Sequence, residues 1–386
     1  MGCRYGPKQS GLALLLVLIL VASATVLGIS YATSTTIKLI STDNLLRANR
    51  ARYLAESGVE HCLYLVRTDP AALTGSETVL LGPFQADATS DRYYFGSAPV
   101  AGQTGQYVLT GRAGTGGVTQ TVTLRVYLES RYKALMDSLG PMVYFRLSDP
   151  ITDDKAIDSA GDWEGKYKDG TSMGWAGAIP GDANASAHFD GFNDQIELKN
   201  GAGKDPDLQG TKVTMMAWVW PDTHNHLANH NARIVSKAKE TTTAETFWMI
   251  ATTKEGSQTR LQFRLKTHAD REEAEEEKEG TTHRLVSGTG DVPLGKWTFV
   301  AAVYTGTHML LYQDGRLVGR RAKTGWITQD DGPKAWIGGS PSGDKDRPWH
   351  GRIDEVAIFD RDVTAAEILT LYEARLPHVD KLAWNE

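Results

Sequence analysis

The chain has 386 residues, which favours two to three domains. Hydrophobic residues make up 41% and charged residues 23%, which is typical of folded proteins and excludes wholesale disorder. A net charge of −6 gives no basis for general nucleic-acid binding. Two cysteines cannot form a disulfide framework, and a mean hydropathy of −0.33 excludes many membrane spans but not one.

The amino-terminal segment is long and apolar. No charged residue lies between Lys8 and Lys38, and residues 12–29 are almost entirely Leu, Val, Ile and Ala. About 20 such residues cross a bilayer as a helix. Because Arg4 and Lys8 precede the segment, the positive-inside rule places the N-terminal tip in the cytoplasm and the bulk of the chain outside. Two simpler interpretations stay open: a plain anchor, or a secretory signal with the cleavage motif Ala22-Ser23-Ala24.

A second helical segment follows directly. Residues 35–66 contain no proline, and apolar residues recur there at helical spacing with arginines between them. Asp69-Pro70 ends the pattern, since the residue before a proline is disfavoured in a helix. We therefore predict one nearly continuous helix over residues 12–67, with Cys62 as a small packing residue.

Three segments resemble type IV pilin-like proteins. Lys8-Gln9-Ser10-Gly11, just before the apolar run, resembles the leader and cleavage glycine of prepilins. Residues 51–65 resemble the helix of minor pilins and of the minor pseudopilins of type II secretion. Residues 105–127 alternate apolar and polar side chains around a glycine-rich turn, which predicts a β-hairpin similar to that of the small pilin sheet.

This resemblance implies a processing site, a location and partners. It implies cleavage between Gly11 and Leu12 by a prepilin peptidase, and a single helix in the inner membrane. The bulk of the chain would then lie in the periplasm or outside the cell, assembled with other pilin or pseudopilin subunits. Leu16 would be the fifth residue after cleavage, where major pilins carry a glutamate. The departure favours a minor or initiating subunit.

Strand signals recur at short spacing from residue 141 to residue 376. Asp314-Gly315 between two apolar stretches predicts a tight hairpin. Thr364 with Glu367 three residues later predicts a capped helix over 364–374, the one convincing helix in this region. Many antiparallel strands with a single helix predict a β-sandwich or jelly roll. The clearest strand segments are Thr211–Trp220, Thr246–Thr253, Thr259–Thr267 and Lys296–Tyr304.

Several of these segments, in order, resemble a LamG-like, concanavalin A-like jelly roll. The resemblance implies a mainly β fold class, in which a C-terminal sandwich follows a long N-terminal helix and a small β-sheet. It also implies a module that binds a glycan or a protein. The segments that carry the resemblance are 143–149, 158–161, 189–198, 213–221, 234–237, 297–304, 311–318, 337–339 and 351–359.

Catalysis is disfavoured by the missing carboxylate pattern. Glycosidases need two carboxylates on either side of the bond that they cleave. Family-16 hydrolases of this architecture carry them in a Glu-x-Asp-x-x-Glu strand, which this sequence lacks, and Asp354-Glu355 resembles it only superficially. We therefore predict a non-enzymatic module, with a glycan-degrading enzyme as the alternative.

A structural calcium ion is a second implication of the LamG-like resemblance. There, Asp354 corresponds to a side-chain ligand, and oxygens near Asp149 and Gly191 complete the site. Calcium takes six to eight oxygen ligands, which a sequence alone cannot bring together. The alternative is that Asp354 only stabilises a turn.

Two tryptophans are candidate ligand contacts. Trp218 and Trp220 lie two residues apart in a predicted strand and therefore share one face. Exposed aromatic rings on a sheet are a common platform for sugars. Trp218 matches a framework position of the resembling family, so Trp220 is the better candidate.

Two polar segments are interpreted as solvated loops. His224, His226 and His230 could hold Zn²⁺ or Cu²⁺, but no cysteine or carboxylate stands at a recognised spacing. Residues 269–279 contain seven acidic and two basic residues, a density of like charge that favours a mobile insertion. A role in binding a cation or a cationic partner is the alternative.

These observations predict five segments and one function. The function is a non-enzymatic, membrane-anchored minor pilin-like protein that displays a binding module for a glycan or a protein, with no nucleic-acid partner. A plain single-pass anchor carrying a lectin-like domain is the main alternative. The segments are a leader at 1–11, a membrane and extended helix at 12–67, a small pilin-like β region at 68–134, a jelly roll at 135–376 and a tail at 377–386.

Overall fold

A computed structural model gives the architecture as two compact units, residues 1–127 with 380–386, and residues 128–379. The predicted histidine loop and residues 276–279 of the acidic segment lie outside the described residues, as does Cys3. The structure describes residues 10–68, 81–85, 92–103, 105–150, 154–199, 208–223, 231–239, 246–275, 280–330, 332–339 and 348–385.

The first unit consists of one helix and a five-stranded sheet. The strand order is β1-β2-β3-β4-β22, and the first four strands are joined by antiparallel pairing. The predicted helix over 12–67 and the predicted hairpin over 105–127 are both confirmed. The elements are α1 (Ser10–Thr68), β1 (Leu81–Gln85), β2 (Arg92–Pro99), β3 (Gln106–Thr115), β4 (Val118–Glu129) and β22 (His378–Asn385).

The two halves of α1 have different surroundings. From Leu14 to Leu46 its large apolar side chains are exposed, whereas Ala51, Ala55, Val59 and other residues of one face are buried. These buried positions recur every three or four residues, as one face of a helix requires. Cys62 is among them, which confirms its packing role, and burial raises the pKa of its thiol to about 12.

The second unit is a sandwich of two antiparallel sheets with three short helices. The first helix, α2, and the short α3 were not predicted, whereas the capping box of α4 is confirmed. The elements are α2 (Tyr132–Leu139), β5 (Val143–Phe145), β6 (Lys155–Ile157), β7 (Glu164–Lys168), β8 (Ser172–Ala176), β9 (Ala185–Asp190), β10 (Gln195–Lys199), β11 (Val213–Pro221), β12 (Arg233–Ala238), β13 (Thr246–Glu255), β14 (Gln258–His268), α3 (Arg271–Glu275), β15 (Thr281–Val286), β16 (Thr298–Tyr304), β17 (His308–Gln313), β18 (Arg316–Ala322), β19 (Trp326–Ile327), β20 (Ala335–Ile337), β21 (His350–Phe359) and α4 (Ala365–Glu373).

The two sheets enclose one large core. One sheet has nine strands and runs β15-β14-β13-β12-β20-β10-β7-β6, with β19 attached to β14. The other has eight and runs β18-β17-β16-β11-β21-β9-β8, with β5 attached to β21. Buried apolar side chains from both sheets form the main cluster between them. We call the opposite face of the eight-stranded sheet its outer face.

A second apolar cluster lies on part of this outer face. It joins Met216 and Phe299 of the sheet to Met136 of α2 and Ile368 of α4. The helices therefore cover one region of the outer face and leave the rest for other contacts. The mainly β fold class predicted from the sequence is confirmed.

One predicted segment differs from the structure. Residues 377–386 were expected to be a tail, but β22 lies there and forms the outer strand of the first unit's sheet. No local pattern could indicate this pairing, because β22 and its partner β4 are about 250 residues apart in the chain.

Candidate ligand-binding site

Four neighbouring strands bring a row of side chains together on the outer face. In β11, Val219 contributes to the main core, so Trp220 points outward by strand alternation. The register places Trp220 opposite Arg352 of β21, and Arg352 opposite His188 of β9. His188 in turn lies opposite Ser172 of β8. Residues far apart in the sequence thereby become direct neighbours.

Three tryptophan rings surround the Arg352 guanidinium. Its central carbon lies 4.0 Å from the ring centre of Trp220, 5.4 Å from Trp297 and 5.9 Å from Trp175. Trp220 and Trp297 meet edge to face at 5.8 Å. We call Trp175, His188, Arg352, Trp220 and Trp297 the tryptophan row.

Trp175 is the accessible ring of the row. Its side chain is 46% exposed, whereas Trp220 and Trp297 are half-buried. One face of Trp175 stacks on His188 at 4.7 Å, and its indole N–H donates to the Ser172 hydroxyl at 3.0 Å. The ring is therefore fixed in orientation while much of its surface stays open to solvent.

Polar groups adjoin this ring. The Nε2 of His188 lies 2.8 Å from Oδ2 of Asp222, which is exposed at the end of the row. Burial lowers the pKa of Arg352, and the Asp222 carboxylate partly opposes this effect. The row thus combines an exposed aromatic surface, a cation and a carboxylate. That combination suits a ligand with apolar C–H faces and polar substituents, as a sugar has.

Of the two candidate tryptophans, Trp218 is a core residue, as its framework position favoured. Trp218 is 1% exposed, stacks on Tyr372 at 5.9 Å and donates its N–H to the Tyr132 hydroxyl at 3.0 Å. It belongs to the apolar cluster beneath the helices. Trp220 does lie in the row, but the Arg352 guanidinium covers one face of its ring. Trp220 therefore orients Arg352, and Trp175 offers the stacking surface.

Sequence reasoning missed Trp175, His188, Arg352 and Trp297. Each lies in or beside a different strand, and only the order β16-β11-β21-β9-β8 makes them neighbours. One local signal was present: Arg352 alternates with the apolar Ile353, which places it on the outer face of β21.

Asp354 is fully buried and is held by hydrogen bonds. Its Oδ2 accepts from the Ala178 amide at 2.7 Å, and its Oδ1 accepts from the Asn184 side chain and the Glu355 amide at 2.9 Å each. Both oxygens therefore face N–H donors. Burial raises the pKa of Asp354, with the Glu355 charge adding to the effect.

Glu355 lies beside it at an irregularity of β21. Its φ of 52° marks the left-handed region, and the register between β11 and β21 shifts at this point. The carboxylate accepts from Arg146 at 2.9 Å and 3.1 Å and from the Tyr144 hydroxyl. Burial raises the pKa of Glu355 to about 7, although Arg146 opposes the shift. Arg146 also bonds Asp182 at 2.8 Å.

The residues that the resemblance implies as calcium ligands lie at separate places in the second unit. Asp190, next to Gly191, pairs with His350, four residues before Asp354 along β21. At about 3.4 Å per residue this separates Gly191 from Asp354 by roughly 13 Å. Asp149 accepts from the Ile157 amide and the Tyr167 hydroxyl. In the described part of the chain no group of three or more His, Cys, Asp or Glu residues could hold a metal ion.

The remaining candidate residues lie at the amino terminus and in the acidic segment. Gly11 and Leu12 lie within α1, whose side chains are described from Leu14 onward. From Leu14 the helix is long and apolar enough to cross a membrane by length and composition. The described part of the acidic segment forms α3, where Arg271 lies over the Trp326 ring at 5.3 Å.

Comparison with known proteins identifies the second unit's fold. Residues 189–369 match the Laminin_G_3 family model, described as the concanavalin A-like lectin/glucanases superfamily. This confirms the predicted concanavalin A-like domain. A search of curated proteins gave no match.

Several solved structures resemble part of the chain. Domain 4 of AbnA, a GH43 extracellular arabinanase from Geobacillus stearothermophilus, in complex with arabinotriose, is 17% identical; the match covers 60% of this chain and 98% of that one, with a TM-score of 0.40. The ligand-binding domain of Botulinum neurotoxin serotype D with N-acetylneuraminic acid is 14% identical, with coverages of 62% and 52% and a TM-score of 0.44. A SAP-like pentraxin from Limulus polyphemus is 16% identical, with coverages of 44% and 76% and a TM-score of 0.31.

Proposed function

We propose that this protein is a membrane-anchored, non-enzymatic glycan-binding protein of the minor pilin or pseudopilin type. The observation that carries the proposal is the tryptophan row, in which the exposed ring of Trp175 lies beside Arg352 and His188, and His188 contacts Asp222. The face of the Trp175 ring stacks against the C–H face of a sugar, while the Arg352 guanidinium donates hydrogen bonds to the sugar hydroxyls and the Asp222 carboxylate accepts them. The concanavalin A-like fold of residues 189–369 is consistent with such a module.

The burial and hydrogen bonding of Asp354 and Glu355 favour a binding role over glycosidase activity. Asp354 and Glu355 are 0% exposed and accept hydrogen bonds from groups of the protein itself. A catalytic acid and its partner must reach a bond of the substrate. These two side chains instead connect β21 to Arg146 and Asn184. Calcium is not part of this proposal.

The anchor is the exposed first half of α1. Residues 14–46 extend for about 50 Å as a helix, more than a bilayer core requires. The apolar side chains of this stretch are exposed. In the proposed arrangement the first part lies in the inner membrane and the rest contacts other pilin or pseudopilin subunits. The glycan-binding unit then lies in the periplasm or on the cell surface.

Glycan binding is tested with the full chain in detergent on a broad array of immobilised glycans. We expect at least one class of glycan to bind, and Trp175→Ala to lower that affinity at least about tenfold, as loss of an aromatic anchor does. Trp384→Ala is the matched control, since Trp384 is 44% exposed and belongs to the other unit. No bound glycan, or equal losses in both variants, would contradict the proposal.

The pilin-like anchor is tested separately through its processing. Co-expression with a prepilin peptidase should shorten the chain to begin at Leu12, seen as the N-terminal mass. Gly11→Val should block this cleavage. An intact N-terminus after co-expression would leave a plain anchor as the better explanation, and cleavage after Ala24 would indicate a secretory signal.

A further inference from the structure

We infer that the glycan recognised by the tryptophan row carries a carboxylate, and that Arg352 is the residue that selects it. The inference rests on the proposed glycan-binding function and names its ligand class. It is carried by the way Arg352 is held and by a positive charge that forms no ion pair among the described residues.

Arg352 is fixed in position by its neighbours. The ring of Trp220 lies under its guanidinium at 4.0 Å, and one terminal nitrogen, Nη1, donates to the Ala176 carbonyl at 3.4 Å. Stacking on an aromatic face orients the guanidinium plane, so that the N–H donors at its edge can reach acceptors of a ligand. An incoming group thus meets a planar set of N–H donors that needs little reorganisation to bind.

Arg352 forms no ion pair among the described residues, although the Asp222 carboxylate acts on it from a distance and raises its pKa. The nearby carboxylate, Asp222, is within 2.8 Å of His188 instead. By contrast, the partly buried Arg146 forms ion pairs with both Asp182 and Glu355. Burial among the rings lowers the pKa of Arg352, and the Asp222 carboxylate offsets only part of this effect. A bound anion would remove this penalty.

A carboxylate is the anion that fits these donors. It is planar and accepts two parallel hydrogen bonds from a guanidinium, and such charge-assisted pairs are stronger than bonds to hydroxyls. The open surface of Trp175, 5.9 Å from the guanidinium, is placed to take the ring of the sugar that bears the carboxylate. If Arg352 only covered the Trp220 ring and had no part in ligand binding, the protein would show no preference between acidic and neutral sugars.

The experiment compares sugars that differ only in the acid group. The full chain in detergent is titrated with three matched pairs: oligogalacturonate and its methyl ester, hyaluronan oligosaccharide and its methyl ester, and sialyllactose and lactose. We expect at least one acid to bind at least about tenfold tighter than its neutral partner, as one charge-assisted pair supplies. Polyglutamate is included as a carboxylate polymer without sugar rings.

Two arginine variants separate recognition from general charge. Arg352→Gln should bring the acid and its neutral partner to equal affinity, and Arg352→Lys should restore only part of the preference because it lacks the planar fork. Arg375→Gln is the matched control. Arg375 also stacks on an aromatic ring, at 3.9 Å from Tyr372, and donates to one carbonyl. It should leave the preference unchanged.

The outcomes distinguish this inference from the proposed function. If glycan binding requires Trp175 but no acidic sugar binds more tightly than its neutral partner, the proposed glycan-binding function stands. The inference that Arg352 selects a carboxylate is then wrong. Tighter binding of polyglutamate than of every acidic sugar would also overturn it, in favour of an acidic protein ligand. If nothing on the array or among the pairs binds, both proposals fail. If Arg375→Gln lost as much of the preference for acidic sugars as Arg352→Gln does, the preference would reflect only the net charge of the protein.

Discussion

The close approach of α1 to β3 in the first unit gives a sharp stability prediction. Gly111 of β3 lies against α1, where a Cβ atom would stand 1.9 Å from the Ala55 carbonyl oxygen and 2.9 Å from the Val59 amide nitrogen. From the helix side, a Cβ on Gly58 would lie 2.8 Å from the Tyr94 carbonyl oxygen. The helix and the sheet thus approach through two glycines. Gly111→Ala places a methyl group where backbone atoms now lie.

The loss of stability in Gly111→Ala depends on which atoms must move to make room for the methyl group. Inserting a methyl group into a packed contact costs about 1–3 kcal/mol, and the upper end applies here because a backbone oxygen cannot rotate away. Replacing glycine by alanine returns about 0.4–1 kcal/mol by restricting the unfolded chain. The net loss is about 2 kcal/mol, which corresponds to about a thirtyfold change in the unfolding equilibrium.

Peptide-resolved hydrogen exchange on the full chain in detergent measures this change. Amides of residues 51–66 should exchange about thirtyfold faster in Gly111→Ala than in the wild type. Gly114→Ala in the same strand is the control, because its Cβ would meet only Thr119 and Val118 atoms at 3.4 Å and 3.5 Å. It should change exchange by a factor of about two at most. Equal exchange in the two variants would refute the close approach of α1 to β3.

Three further predictions concern the buried carboxylates. Burial holds the pKa of Glu355 at about 7 against an ordinary 4.5, so the folded protein keeps a proton that the unfolded chain has lost. The free energy of unfolding should therefore fall as pH rises from about 5 to about 8, and Glu355→Gln should flatten this slope in urea titrations. Arg146→Met removes the cation that faces Glu355 and Asp182, and should lower stability by about 3–5 kcal/mol in the same titrations; a loss below about 1 kcal/mol would show the pair to be dispensable. Asp354→Asn replaces an oxygen acceptor by an amide opposite N–H donors. Its melting temperature should fall by the same amount in calcium and in chelator, and a fall seen only in calcium would instead support the calcium site predicted from the sequence.

Local sequence signals predicted most of the elements. The hairpin at Asp314-Gly315 forms with both residues at positive φ, and the side chains of Thr364 and Glu367 cap α4 reciprocally. These signals act within a few residues, so a sequence shows them directly. The helix α1 was predicted for the same reason.

The binding site depended on long-range pairing and was only partly predictable. Strand alternation put Trp218 and Trp220 on one face of the sheet. It could not show that helix residues such as Tyr132 cover Trp218, or that Arg352 covers Trp220. Trp175 reaches the row only because β8 and β9 lie next to β21. The order of strands in a sheet is set by the whole core, and no short segment encodes it.

The most direct test of the central claim is to locate the ligand on the protein. Oxidative footprinting of tryptophans by mass spectrometry, with and without a saturating glycan from the array, compares Trp175 with the equally accessible Trp384. We expect the glycan to slow oxidation of Trp175 severalfold and to leave the oxidation rate of Trp384 unchanged. Oxidation of Trp175 at the same rate in both conditions would contradict binding at the tryptophan row.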